Sequence, residues 1–327
     1  MKIITSFYTV WQSKESSAAI TVHSKHPRGG AEACKKFPDR ISPNLMESTI
    51  RQVSKSAYAI VGPEGATNFS IVKASDGSAV VIDADIRRID EVEEALRLTG
   101  CSEVKHLIDT HEHFDHTSAN FYFRRRGVPI VASAGCLAAM REEGGPDFER
   151  MMKPVLDLYE RFPGLSLTLP DLVFADGTEV KLPGVTLRLK YRAENGHGHS
   201  KGDTTIYFEE EEVFIAGDLL YTEVHPVTFF GNIPNWLTAL KPLFQSHYNQ
   251  LVPGHGPTVT GEQEGRRYFK RMYDYLEDFH GNLQEIKAGR KSREEVAKHM
   301  LSGSYTPLGK SRMVERNINQ FLTGRWY

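Results

Sequence analysis

Six consecutive residues, His111-Glu112-His113-Phe114-Asp115-His116, hold three imidazoles and an aspartate, and no other stretch constrains the chain as much. Packing does not account for this density of ionisable groups, because each one buried needs a partner for its polar atoms. Neutral imidazole nitrogens and carboxylate oxygens are, however, the usual ligands of zinc and similar ions. The residues before the cluster, 104–109, read as a short buried strand, and those after it, 117–126, as the start of a helix. The cluster therefore falls where a strand gives way to a helix, which is where open α/β sheets carry their chemistry. Alternate residues leaving the strand can direct His111 and His113 at one ion. A turn then lets Asp115 and His116 face a second. Neither ion is fully coordinated by these groups, so other parts of the chain must contribute.

Three later groups have the right composition. In Asn195-Gly196-His197-Gly198-His199-Ser200-Lys201-Gly202-Asp203, glycines around the histidines let the backbone come close to a ligand. Ala216-Gly217-Asp218 follows a strand expected at 213–216, and Val252-Pro253-Gly254-His255-Gly256-Pro257 follows one expected at 249–252.

With these residues the chain resembles the metallo-β-lactamase-fold hydrolase superfamily, which includes glyoxalase II, the acyl-homoserine lactonases and the ribonuclease Z group. The H-x-H-x-D-H pattern at 111–116 and the three later groups carry the resemblance, which runs from about residue 52 to 256. It implies an α/β (α+β) fold: a four-layer αββα sandwich of two mixed β-sheets flanked by helices, with metals at one edge. Carried over residue by residue, His111, His113 and His199 would bind a first metal and Asp115, His116 and His255 a second, with Asp218 bridging. The implied cofactors are two Zn2+, with Fe or Mn in one or both sites as the alternative. The family has one histidine in its G-H-T-x-G turn, whereas here His197 and His199 both precede Gly202. The spacing of Gly198 to Gly202 selects His199 and leaves the contribution of His197 open.

The resemblance implies hydrolysis. Two ions roughly 3.5–4 Å apart lower the pKa of a shared water, and the hydroxide attacks an ester-like bond: a thioester, lactone or related acyl compound. Asp115 and Tyr221 are the catalytic candidates. Tyr221 matches a tyrosine that points at the substrate oxygen in the lactonase branch, with a packed core aromatic as the competing reading. Asp218 stands where the zinc β-lactamases carry Cys or Ser, which argues against true β-lactamase activity. Asp109 and Asp83 end their strands and are candidates to accept the outer N–H of a ligand histidine. The alternatives on the same scaffold are an iron sulfur dioxygenase and a phosphodiesterase or ribonuclease. A non-enzymatic binding protein is disfavoured because such proteins usually lose ligands.

Composition bounds the remainder. With 25% charged residues and a net charge of -2, the chain has no electrostatic footprint for nucleic acid or an anionic membrane. The expected partner is a small-molecule substrate, and homo-oligomerisation stays open. Cys34, Cys101 and Cys136 make no disulfide framework and read as reduced thiols of a cytoplasmic protein, with export the minority alternative. No apolar run reaches the roughly 20 residues of a membrane helix. Expected domains are an N-terminal arm at 1–51, a catalytic domain at 52–260 and a helical segment at 261–327 packed on it. Residues 142–164 read as a flap near the site or a surface excursion. Lys201 reads as an anion attractor or a surface lysine, and His225 as a pocket residue or a loop histidine. Downstream, Phe269, Met272, Tyr273, Leu276, Phe279, Leu283 and Ile286 recur at helical spacing, and Ser292 with Glu295 forms a capping box.

Overall fold

The side chains of one buried strand already specify layers on both of its sides. In β4 (Ser78–Ile82), Val80 and Ile82 enter one apolar cluster while Ala79 and Val81 enter another. A strand with period-two alternation and both faces buried must lie between two packed layers. The computed structural model describes residues 48–325 except 156, 194, 195 and 246. The expectations for the N-terminal arm and Cys34 lie outside the described residues, apart from the arm's last few positions.

The first sheet has seven strands in chain order: β1 (Thr49–Gln52), β2 (Ala57–Val61), β3 (Phe69–Lys73), β4, β5 (Glu103–Ile108), β6 (Ile130–Ser133) and β7 (Leu172–Phe174). Its pairs from β1 to β4 are antiparallel and those from β4 to β7 parallel. β1 thus brings the last residues of the expected arm into the sheet. The second sheet has six strands. Its order is β13 (Val259–Thr260), β12 (Gln250–His255), β11 (Val213–Tyr221), β10 (Thr204–Phe208), β9 (Val185–Tyr191) and β8 (Gly177–Leu182). Only its β11–β12 pair is parallel, so both sheets are mixed.

Val72, Val80, Ile82, Ile108, Leu187, Leu189, Ile206, Ile215 and Val252 fill the space between the sheets. Each such side chain contributes about 1.5–3 kcal/mol on leaving water. The outer face of the first sheet is covered by α1 (Ile89–Leu98), whose Ile89, Val92, Ala95 and Leu96 are buried, and by α3 (Asn120–Arg124). On the outer face of the second lie α7 (Ile233–Leu240), α8 (Glu262–Lys287), α9 (Arg293–Met300) and α10 (Arg312–Thr323). Along α8 the buried stripe is Phe269, Met272, Tyr275, Leu276, Phe279 and Leu283, with Tyr273 and Ile286 at its margin. The Ser292–Glu295 capping box opens α9. The result is helix, sheet, sheet, helix, the expected four-layer sandwich.

Two local expectations change. The helix expected at 117–126 is two pieces, α2 (Phe114–Thr117) and α3, because the Ala119 N–H at the break donates to the Ala84 carbonyl at 3.2 Å and leaves the helical ladder. Residues 142–164 fold as α5 (Gly144–Met152) and α6 (Asp157–Arg161), following α4 (Ala134–Glu142). The Phe148 ring packs 5.4 Å from that of Phe114, so this segment is a wall beside the cluster. No helix of the described residues is long and apolar enough to cross a membrane.

Candidate metal centre

The cluster leaves β5 through Asp109 and Thr110 and turns into α2. The Ala84 N–H donates to the His116 carbonyl at 2.9 Å, which fastens the turn to the end of β4. The glycine-rich loop before β10 brings in His199. Asp218 lies within β11, which runs on past the expected end at 216 to Tyr221, and His255 closes β12. A Cβ on Gly254 would sit 1.8 Å from Asp218 Oδ1, so only glycine lets β12 pass this close to the carboxylate.

Seven side chains converge in two groups: His111, His113, His199 and Asp218, then Asp115, His116 and His255. In the first, His113 Nδ1 is 3.0 Å from both His111 Nε2 and His199 Nε2, and Asp218 Oδ2 is 3.3 Å from His199 Nε2. In the second, Asp115 Oδ2 is 3.9 Å from His116 Nε2 and 3.7 Å from His255 Nε2. Asp218 reaches this group as well, with Oδ1 3.2 Å from His116 Nε2 and Oδ2 3.2 Å from His255 Nε2. Ligand atoms about 2.1 Å from a common ion in a tetrahedral shell stand about 3.4 Å apart, which is the spacing seen in both groups. His116 Nε2 and Asp218 Oδ1 are buried without a hydrogen-bond partner, as inward lone pairs awaiting a cation would be. The donor set of nitrogen and oxygen suits zinc, iron or manganese.

The tautomers favour coordination. His116 Nδ1 lies 2.9 Å from Asp83 Oδ2 and His255 Nδ1 2.9 Å from the Gly65 carbonyl; both oxygens only accept, so these nitrogens donate. The Thr110 hydroxyl donates to Asp83 at 2.7 Å and therefore accepts from His111 Nδ1 at 3.0 Å. In each ring this leaves the Nε2 lone pair facing inward. Asp83 holds φ at 58°, a conformation rare for a non-glycine residue, and turns its carboxylate between Thr110 and His116. It is thus the residue that accepts a ligand histidine's outer N–H. Asp109 is not: its Oδ2 accepts from Asn120 Nδ2 at 2.8 Å, and burial lifts its carboxyl well above the usual range.

Charge follows burial and neighbours. Burial holds His111 well below the ordinary imidazole value, with His116 and His113 adding to the effect, and pushes His199 down to about 3. For Asp218 burial favours the neutral acid, but His255, His116 and His199 outweigh it and keep the carboxylate ionised. At His116 burial opposes the imidazolium, but Asp218, Asp83 and Asp115 outweigh it and raise the ring well above its ordinary value, so without a cation Nε2 holds a proton that a bound metal would displace. Asp115 accepts from the Thr67 hydroxyl. The Tyr221 hydroxyl donates to Asp218 Oδ2 while its ring stacks on His255, with centroids 4.9 Å apart and planes at 11°.

Two residues that sequence reasoning missed tie the late ligand loops to the early ones. Asn68 Nδ2 donates to the carbonyls of Pro253 and Gly256 at 2.9 and 2.7 Å, clamping the His255 turn. Glu112 accepts the backbone N–H groups of Lys201 and Gly202 at 2.8 and 2.9 Å, clamping the His199 loop. Position 112 inside the H-x-H motif was a signal for the second; nothing marked the first. His197 is half-buried and belongs to neither ligand group. His225 is buried, with Nδ1 2.9 Å from the Tyr275 hydroxyl, and Lys201 pairs with Glu142 and Glu143. Beside His113 an open cleft is lined by Phe114, Ala139, Phe148, Leu167 and Phe230 on its apolar side and by Glu112, Glu143, Asp147 and Lys201.

Comparison with known proteins agrees with this geometry. The chain matches the metallo-beta-lactamase superfamily over residues 62–255, more than half its length, and belongs to that family. The "Beta-lactamase-like protein 2 homolog" of Caenorhabditis elegans is 26% identical over 121 residues, an alignment spanning 37% of each chain. Among solved structures, a metallo-beta-lactamase from Pontibacter korlensis superposes with a TM-score of 0.56 at 18% identity, over 71% of this chain and 99% of that one. A double mutant of the sec-alkyl sulfatase PisA1 superposes with a TM-score of 0.62 at 15% identity, over 85% of this chain and 50% of that one. At such identities the structural likeness concerns the fold.

Proposed function

We propose that this chain is a binuclear metal-dependent hydrolase, with zinc as the metal, acting on an ester-like acyl bond: a thioester, lactone or related compound. The observation that carries the reading is Asp218, whose carboxylate oxygens lie 3.2–3.3 Å from a histidine nitrogen of each group. Two divalent ions held there would acidify a water between them and polarise the acyl oxygen. The protein supplies the rest. Thr67 and Asp83 hold Asp115 and His116 in place, so the ligand geometry is set before substrate arrives. Burial, and then Asp218, raise the Tyr221 phenol well above its ordinary value, so it keeps the O–H that it now donates to Asp218 Oδ2 and that would serve a developing oxyanion once a cation takes up that carboxylate oxygen. The Phe114, Phe148 and Phe230 walls of the cleft suit an apolar portion of the acyl compound.

The family scaffold also supports other chemistry, and one experiment separates the options. Protein purified in zinc is assayed for bound metal and screened against thioesters, lactones, phosphodiesters and oxygen-dependent sulfur oxidation. Bound zinc with acyl hydrolysis supports the reading. A single iron with oxygen consumption, or turnover confined to phosphodiesters, contradicts it.

A further inference from the structure

Lys310, far beyond the last ligand in sequence, sits in the segment between α9 and α10. Its neighbour Gly309 forms a parallel bridge with Val224: the Gly309 N–H donates to the Glu223 carbonyl at 2.8 Å, and its carbonyl accepts the His225 N–H at 2.9 Å. The bridge pins this segment to the loop leaving β11 just after Tyr221. Lys310 itself holds φ at 57°, a conformation a non-glycine residue keeps only where its surroundings fix it. Its stem runs over Gly65, where an added Cβ would lie 3.2 Å from Lys310 Cε. Gly65 is the residue whose carbonyl holds His255 Nδ1, so the end of the Lys310 stem lies beside the turn that supports the second ligand group, near enough for Asp115 and Asp218 to act on its charge.

Burial lowers the Lys310 ammonium from its ordinary value; Asp115 and Asp218 act against that, and Arg312 and Arg87 add to it. Among the described residues the ammonium has neither a hydrogen-bond nor an ion-pair partner. Asp115 and Asp218 are the two anionic ligands of the seven, and they fall short of the charge of two divalent ions. A half-buried cation beside such a centre is costly until a counter-anion joins it.

We propose that Lys310 anchors an oxyanion group of the substrate, a carboxylate or a sulfate, beside the second ligand group. The apolar part of the same molecule would occupy the cleft of Phe114, Phe148 and Phe230. Lys310 is then the residue that selects anionic over neutral substrates. The inference rests on the hydrolase reading, but its anchor is testable without turnover.

The probes are glutarate and octyl sulfonate, titrated calorimetrically into zinc-loaded wild type, Lys310→Met and Lys310→Arg. The expected result is that at least one anion binds wild type and binds Lys310→Met about 10-fold or more weakly, with most affinity kept by Lys310→Arg and metal content equal in all three. Equal affinity in wild type and Lys310→Met, no binding of either anion by wild type, or loss of metal in Lys310→Met overturns the proposal. A turnover arm compares 4-nitrophenyl hydrogen glutarate with its methyl ester and includes 4-nitrophenyl sulfate. A wild-type preference for the free acid that lies in KM and falls towards one in Lys310→Met identifies a carboxylate remote from the scissile bond. Sulfate ester hydrolysis that depends on Lys310 identifies the scissile group itself as the anion. Equal loss on both glutarate esters counts against an anchor. If no ester turns over, the hydrolase reading fails while the calorimetry still decides the role of Lys310.

Discussion

The two ligand groups share Asp218 but are held differently. In the second, His116 and His255 both donate their outer nitrogens to fixed acceptors, and Asp115 takes the Thr67 hydroxyl. In the first, His111 has such a partner in Thr110, whereas His199 Nδ1 is buried without one and His113 rests its ring 4.6 Å from that of Phe230. Outer partners fix ring orientation and tautomer and are worth about 10- to 100-fold in metal affinity. The second position is therefore the more pre-organised. The first, open to the cleft through His113, is freer to adjust when substrate enters. On the proposed binuclear reading, the contrast predicts firmer metal retention at the second position than at the first.

The largest expected effect comes from removing what the groups share. Asp218→Asn weakens both positions by more than about 100-fold, beyond the range of an outer partner, and abolishes hydrolysis; a variant that keeps both metals breaks the account. Gly254→Ala follows, because its Cβ would sit 1.8 Å from Asp218 Oδ1 and displace the carboxylate from both groups. Metal content should fall while the far-ultraviolet circular dichroism stays native. Asp83→Asn sharpens the comparison: it costs the second position about 10- to 100-fold by direct loss of the His116 acceptor and reaches the first only indirectly, through Thr110, so stepwise dialysis against a chelator should reverse the order of metal loss. Unchanged order would mean the outer partners do not decide retention. Tyr221→Phe should lower kcat by about 10²-fold with metal content intact, as loss of an oxyanion donor does.

The smallest effect lies outside both groups. Burial pushes His225 down to about 4 from 6.5, so folding favours its neutral form. The stability it contributes is present above about pH 6.5 and drains away as pH falls towards 4. The unfolding midpoint of metal-free protein should fall across that window, and less so in His225→Asn.

How much of this the sequence displayed follows from what each residue does. His111, His113, Asp115 and His116 stood out because three imidazoles and a carboxylate crowd into one turn, and the structure brings them together with His199, Asp218 and His255 in two groups that could hold metal. His199, Asp218 and His255 were legible because glycines flank them where backbone comes close. The two sheets followed from alternation such as Val80 and Ile82 against Ala79 and Val81. Asp83 and Asp109 could not be told apart, since each ends a parallel-paired strand; only the left-handed backbone at Asp83 turns its carboxylate to His116. The helix was started late, at 117 instead of Phe114, because the His116 and Thr117 N–H groups both donate to the His113 carbonyl and close a turn inside the cluster itself. Asn68 and Lys310 gave no signal, as each acts on a site distant in the chain.

Bound metal decides the central claim most directly. Elemental analysis of protein purified in zinc should find two ions per chain in wild type and a large deficit in Asp218→Asn. A wild-type chain that holds no metal, or a single ion indifferent to Asp218, would contradict it.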